Sequence, residues 1–109
     1  MISGIFYCDE QFFRFYPDGA FLDCLIRGIE EPIDKAQVRQ WFRREKRVSG
    51  VLQGTYTMRN KVIVFRTPGH FGDGRLIEYE GEYKQDRLLL NSLNHNTGRH
   101  MTGQVFMRW

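Results

Sequence analysis

Three histidines are the first residues to weigh, because imidazole serves in metal centres and in proton transfer. His95 and His100 lie five apart in NHNTGRH, and His70 lies in PGHFGDG with Asp73 nearby. A zinc centre needs three or four converging ligands. Asn and Thr surround His95 and His100, with no carboxylate or cysteine close in sequence, and the His70 stretch would have to fold against them. Loop histidines are therefore expected, with no metal. The GHFGDG stretch lacks the strand-to-helix setting and the lysine of a phosphate loop. No serine stands in a nucleophile elbow. Asp9-Glu10 and Glu30-Glu31 read as turn and helix-cap residues rather than as an acid–base pair. These patterns predict a non-enzymatic protein with no cofactor.

Two other groups carry binding chemistry. Arg39, Arg43, Arg44, Lys46 and Arg47 cluster with Trp41 and Phe42 between them. Such a cluster reads as an anion or nucleic-acid contact, or as a partner-binding face, with Arg39, Arg43 and Arg44 as the residues in question. The plainer reading, which the pattern favours, is a solvated helix face whose aromatics are core, with ion pairs within the helix and, across the barrel, to Glu78–Glu82. The second group is a set of aromatics on alternating positions: Phe13, Phe15, Tyr56, Phe65, Tyr79 and Tyr83. Joined by Arg108, they define an interior that is either filled by its own side chains or shaped around a small flat apolar molecule.

The elements that must position these groups follow from periodicity. Residues 11–26 form two apolar runs joined by Tyr16-Pro17-Asp18-Gly19. Period-two alternation on both sides of a Gly-containing turn predicts a hairpin. A short strand over 3–8 precedes it. Over 33–46 the period changes: Val38, Trp41 and Phe42 fall at helical spacing. One amphipathic helix is expected there, started at Glu31-Pro32 with Asp34 and Gln37 spaced like a capping box. Strands resume over 51–58, 62–67, 76–83, 88–93 and 101–109, separated by turns at 59–61 and 84–87 and by loops at 68–74 and 94–99. About eight strands at short, regular spacing predict an all-β antiparallel meander closed into a barrel, with the helix between strands three and four.

A weak repeat supports closure. Gly4-Ile5-Phe6, Gly54-Thr55-Tyr56 and Gly81-Glu82-Tyr83 each lie in the first strand of a hairpin, and eight residues after each glycine come Phe12, Val62 and Leu89. Glycine at a bend, followed by an aromatic on the same side, suits a sheet that curls. Glu78, Glu80 and Glu82 must face water, because stacked carboxylates are costly to bury. Phe13, Phe15, Ile63, Phe65 and Leu90 are the expected core, and the helix is expected to lie across one mouth or flank on Val38, Trp41 and Phe42.

Composition bounds the rest. The chain has 109 residues, which predicts one domain over 1–109, and nine Phe, five Tyr and two Trp supply its core. A net charge of +3 permits weak attraction to anions without demanding nucleic acid. Cys8 and Cys24 are too few for a disulfide framework and sit among apolar residues, so two reduced thiols are expected, with one bridge open to them if the first strands are adjacent. MISGIFYCDE has neither a basic region nor a long apolar run, so no signal peptide is expected. No stretch of about 18 apolar residues predicts a membrane span. A cytoplasmic protein is the expectation, as a monomer or a homodimer.

The order RFYPDGAFL, then Glu30-Glu31-Pro32 and a helix, then Leu52-Gln53-Gly54-Thr55-Tyr56 resembles the carboxy-terminal domain of the F-box only protein 9 family, over residues 12–58. The F-box itself is absent from this sequence, so the resemblance implies a shared β-domain and not ubiquitin chemistry. The meander plan is similar to lipocalins and their calycin relatives. Gly4-Ile5-Phe6 sits where those proteins have Gly-x-Trp, with Phe6 replacing the tryptophan, and Arg108 sits on the last strand where such barrels lay an arginine across that aromatic. That resemblance implies a closed barrel with a central site for a small apolar molecule. The leading expectation is thus a binding module holding a small apolar or aromatic ligand in the barrel. The alternative is a protein-interaction or structural domain that uses the outer strands and the basic helix.

Overall fold

A computed structural model describes residues 1–27, 33–46, 48–68, 76–95 and 97–109. The expected Glu31-Pro32 helix start, the side chain of Asp34, Arg47, and the loop with His70 and Asp73 lie outside what the structure describes. The elements are β1 (Gly4–Cys8), β2 (Gln11–Phe15), β3 (Ala20–Leu25), α1 (Ile33–Trp41), β4 (Leu52–Arg59), β5 (Val62–Thr67), β6 (Ile77–Lys84), β7 (Arg87–Asn94) and β8 (His100–Arg108). Each strand pairs antiparallel with the next, and β8 returns to β1 with Phe6 opposite Arg108 and Tyr7 opposite Met107. The chain is therefore a closed eight-stranded antiparallel barrel with one helix between β3 and β4, as its spacing predicts. Closure gives each of the eight strands a hydrogen-bonded neighbour on both sides.

Turn chemistry sets the register. At Tyr16–Gly19 the Tyr16 N–H donates to Ala20 O at 2.9 Å, and Asp18 Oδ1 accepts from Ala20 N at 3.1 Å. The turns at Asn60-Lys61 and Gln85-Asp86 hold both residues at positive φ (50° and 69°; 54° and 61°), the conformation whose twist matches a two-residue hairpin. Each is followed by a strand in which alternate residues fall on opposite faces.

The wall separates two cores. Inside lie Phe13, Phe15, Ile63, Phe65 and Leu90, as expected, joined by Phe6, Phe21, Leu88 and Phe106, all buried. Outside β1–β3 lies a second cluster, in which Ile5, Phe12, Leu22 and Cys24 are covered by Val38 and Phe42. The helix thus lies on the flank, not across a mouth. Cys8 on β1 packs inward and Cys24 on β3 outward, so the two thiols stand on opposite faces of the wall with β2 between their strands; both are free. The glycines of the repeat make room. A Cβ on Gly54 would press on the Phe21 ring, and one on Gly81 would overlap the β7 backbone at Leu89.

The helix is shorter than the predicted 33–46 and ends at Trp41. Groups from the first hairpin take over its backbone hydrogen bonding. Arg14 Nη1 donates to Phe42 O at 2.7 Å, and Arg44 N donates to the Tyr16 hydroxyl at 3.1 Å. The chain then turns, with Lys46 N donating to Arg43 O at 3.0 Å.

Candidate functional site

The barrel interior is built on Phe13, which β2 aims at the axis. Its ring lies 5.0 Å from Phe65 on β5, 5.3 Å from Tyr79 on β6 and 5.1 Å from Phe106 on β8. Those strands form the opposite and adjoining walls, so rings meet across the centre. Phe65 stacks on Tyr79 at 5.0 Å, and Phe15 meets Tyr56 edge-on at 5.1 Å. Edge-to-face and offset pairs of this kind add about 0.5–1.5 kcal/mol each beyond the area they bury.

The tyrosine hydroxyls lie at the two ends of this aromatic column, and each has a protein partner. At the end formed by the Tyr16–Gly19 turn and the first residues of the chain, the Tyr56 hydroxyl lies 2.9 Å from Ile2 O and 2.6 Å from Tyr16 O. At the other end the Tyr79 hydroxyl accepts from Gln11 Nε2 at 3.1 Å and lies 3.3 Å from Gln11 Oε1. Burial pushes Tyr79 up to about 12. Beside it Asp23, with 0% exposure, accepts from Thr67 Oγ1 at 2.7 Å, and Gln11 Nε2 lies 3.5 Å from its other oxygen. This buried polar group was not among the residues the sequence singles out. Its signal is the alternation that puts Asp23 on the same face as Phe21.

Phe13, Phe15, Tyr56, Phe65 and Tyr79 therefore converge inside. Tyr83 is half-buried and its hydroxyl faces the rim, donating to Asp86 Oδ1 at 2.7 Å. Arg108 is not an interior residue. Its guanidinium lies over the Phe6 ring at 4.7 Å, donates to Ser3 O at 2.8 Å, and reaches Asp86 at 3.2 Å and the Tyr83 hydroxyl at 3.1 Å. The hydrogen bond from Tyr83, then that from Arg108, holds the Asp86 carboxyl below the usual carboxylate range. An arginine across the first-strand aromatic is the arrangement the lipocalin resemblance implies for Phe6 and Arg108.

The helix arginines are engaged within the chain. Arg39 lies over the Trp109 ring at 5.6 Å and donates to Trp109 O at 3.1 Å. Arg44 stacks on Tyr16 at 4.4 Å and pairs with Asp18, whose carboxyl this hydrogen bond lowers. Arg43 pairs with Glu45 at 3.5 Å. Among the described residues the expected cross-barrel pairs with Glu78–Glu82 do not form, because α1 covers β1–β3 while the glutamates stand on β6. Glu78 instead meets Arg66 at 3.3 Å and His95 Nε2 at 2.7 Å. Among the described residues no group of three His, Cys, Asp or Glu is placed to hold a metal ion.

The outside of β5–β8 carries exposed apolar side chains. Val62, Leu89 and Val105 are 41%, 50% and 41% exposed. Val62 and Leu89 are the repeat counterparts of Phe12, which α1 covers.

Fold and site together define a closed antiparallel barrel with an aromatic core and a helix on one flank. No protein-family model, curated protein or solved structure matches the chain. No described helix is long and apolar enough to cross a membrane.

Proposed function

We propose that this chain is a non-enzymatic protein-interaction domain, a solid barrel that acts through its outer surface. The observation that carries this reading is the contrast between its two faces. Inside, Phe13 meets rings from three other strands and the inward tyrosine hydroxyls are bonded to the protein itself. Outside, on β5–β8, large apolar side chains stand in water. A small apolar ligand in the barrel would have to part these rings and forfeit their contacts, so that reading has less support. The resemblance to the β-domain of the F-box only protein 9 family points towards an interaction role as well. Because Arg39, Arg43 and Arg44 are engaged within the chain, the outer strands are the better surface.

A photo-cross-linking residue placed in turn at Leu89, Thr57 and Gln40 tests the reading. Specific adducts from a strand position, with no saturable uptake of apolar fluorophores, are expected. Saturable fluorophore binding that Phe13→Leu abolishes, with no adduct at any outer position, would replace it with an interior ligand site.

A further inference from the structure

We propose that the outer face of β5–β8 is the docking site for a basic amphipathic helix of a protein partner; this rests on the interaction reading above. The register builds the face. Val62 lies opposite Glu82, Glu82 opposite Leu89, and Leu89 opposite Val105, so one row crosses four strands. In the next row Val64 lies opposite Glu80 and Glu80 opposite Asn91. Two carboxylates thus stand among Val62, Val64 and Leu89, with Arg59 opposite Val62 where the row continues onto β4.

The surface between them is sunk. A depression of about 340 Å³ runs past Val62, Glu80, Glu82, Leu89 and Asn91, with Gly103 contributing no side chain to fill it. Asn91 Oδ1 accepts from Gly103 N at 2.9 Å, which holds the β-bulge that opens this spot. Among the described residues neither Glu80 nor Glu82 is in an ion pair, although the chain as a whole is positive. Lys84 and Arg87 bound the acidic patch one row nearer the Gln85-Asp86 turn.

Charge and shape together select the occupant. Exposed carboxylates sunk among valines and a leucine suit a lysine or arginine whose aliphatic stem lies on apolar surface while its head reaches the acid. A helix about 10 Å wide covers two to three strands spaced about 4.8 Å apart. The molecule itself shows this arrangement on its other flank. There α1 seats Val38 and Phe42 on Phe12, Leu22 and Cys24, with arginines at the margin. The repeat places Val62 and Leu89 where Phe12 stands, without a helix of the described chain to cover them.

The probe is a labelled 14-residue helical peptide of Leu and Lys with one apolar stripe, beside a twin with Glu in place of Lys. Fluorescence anisotropy should show saturable binding of the Lys peptide only. Binding should weaken at least fivefold in Glu80→Gln/Glu82→Gln and in Leu89→Ser, and stay unchanged in Glu10→Gln. Melting curves check that the variants fold. Equal binding of both peptides, an unaffected double variant, or no binding would overturn the proposal. So would a concentration-dependent dimer, seen by sedimentation and lost in Leu89→Ser, since the face would then belong to a second copy. A cross-link at Leu89 to a partner without a basic helix would overturn this inference and leave the interaction reading standing.

Discussion

Arg108 lays its guanidinium across the Phe6 ring in the space that a side chain on Gly4 would need. Gly4 adopts φ of 127°, a conformation L side chains rarely take, and an added Cβ would overlap Arg108 Nη1. Gly4→Ala should therefore destabilise the barrel by roughly 1–3 kcal/mol. Arg108→Ala alone should cost about 1 kcal/mol, mainly the cation–π contact. Urea titration of the single and double variants checks both values. Because the two residues compete for one volume, the double variant should lose less than the sum.

Phe13→Ala should destabilise by about 3–5 kcal/mol, since it empties the point where rings from four strands meet. Leu89→Ser, on the bare outer face, should change stability by less than about 0.5 kcal/mol. Chemical denaturation read by aromatic fluorescence separates the two. A small effect at Phe13 would mean that the interior collapses easily or was never tightly filled.

The Asn60-Lys61 turn puts a lysine at φ of 69°. Glycine takes that conformation without steric cost and is preferred at the second position of such turns. Lys61→Gly should raise stability by about 0.5–1 kcal/mol, measured as a higher urea midpoint with an unchanged slope. Asp86 is unsuitable for the same change, because its carboxylate serves Tyr83 and Arg108.

Alkaline pH should weaken the fold through buried acids. Burial pushes Tyr79 up to about 12 from 10.0, and Cys24 up to about 11 from 9.0. The unfolded chain gives up the Tyr79 proton near pH 10 while the folded chain keeps it. This contribution is whole below pH 10 and is lost as pH rises through about 12. Its full size is on the order of 2–3 kcal/mol. Denaturant midpoints taken from pH 8 to 12 should fall, and Tyr79→Phe should flatten the part above pH 10.

Strand order, turn positions and the inward face were legible because they depend on local rules. Period-two alternation placed Phe13, Phe15 and Phe65 inside, and Pro17-Asp18-Gly19 fixed the first hairpin. What escaped depends on contacts between distant parts. Helix propensity continues through Arg44, but Arg14 on β2 and Tyr16 in the turn after it capture the backbone and end α1 early. Arg108 alternates as a strand residue should, yet its length lets it fold back over the rim to Ser3 and Asp86. Alternation shows which side of a wall a residue is on. It does not show what covers the outside, so Phe12 and Leu89 look alike in sequence and differ in burial.

The seam between β1 and β8 joins the first strand of the barrel to the last, with Phe6 opposite Arg108 and Trp109 N donating to Ile5 O at 2.8 Å. The other strand pairs close shorter loops and can form while the protein is still being made. This one waits for residues 100–108 to be synthesised. Until then β1 offers an open hydrogen-bonding edge to any extended chain nearby, a hazard that the finished barrel has removed.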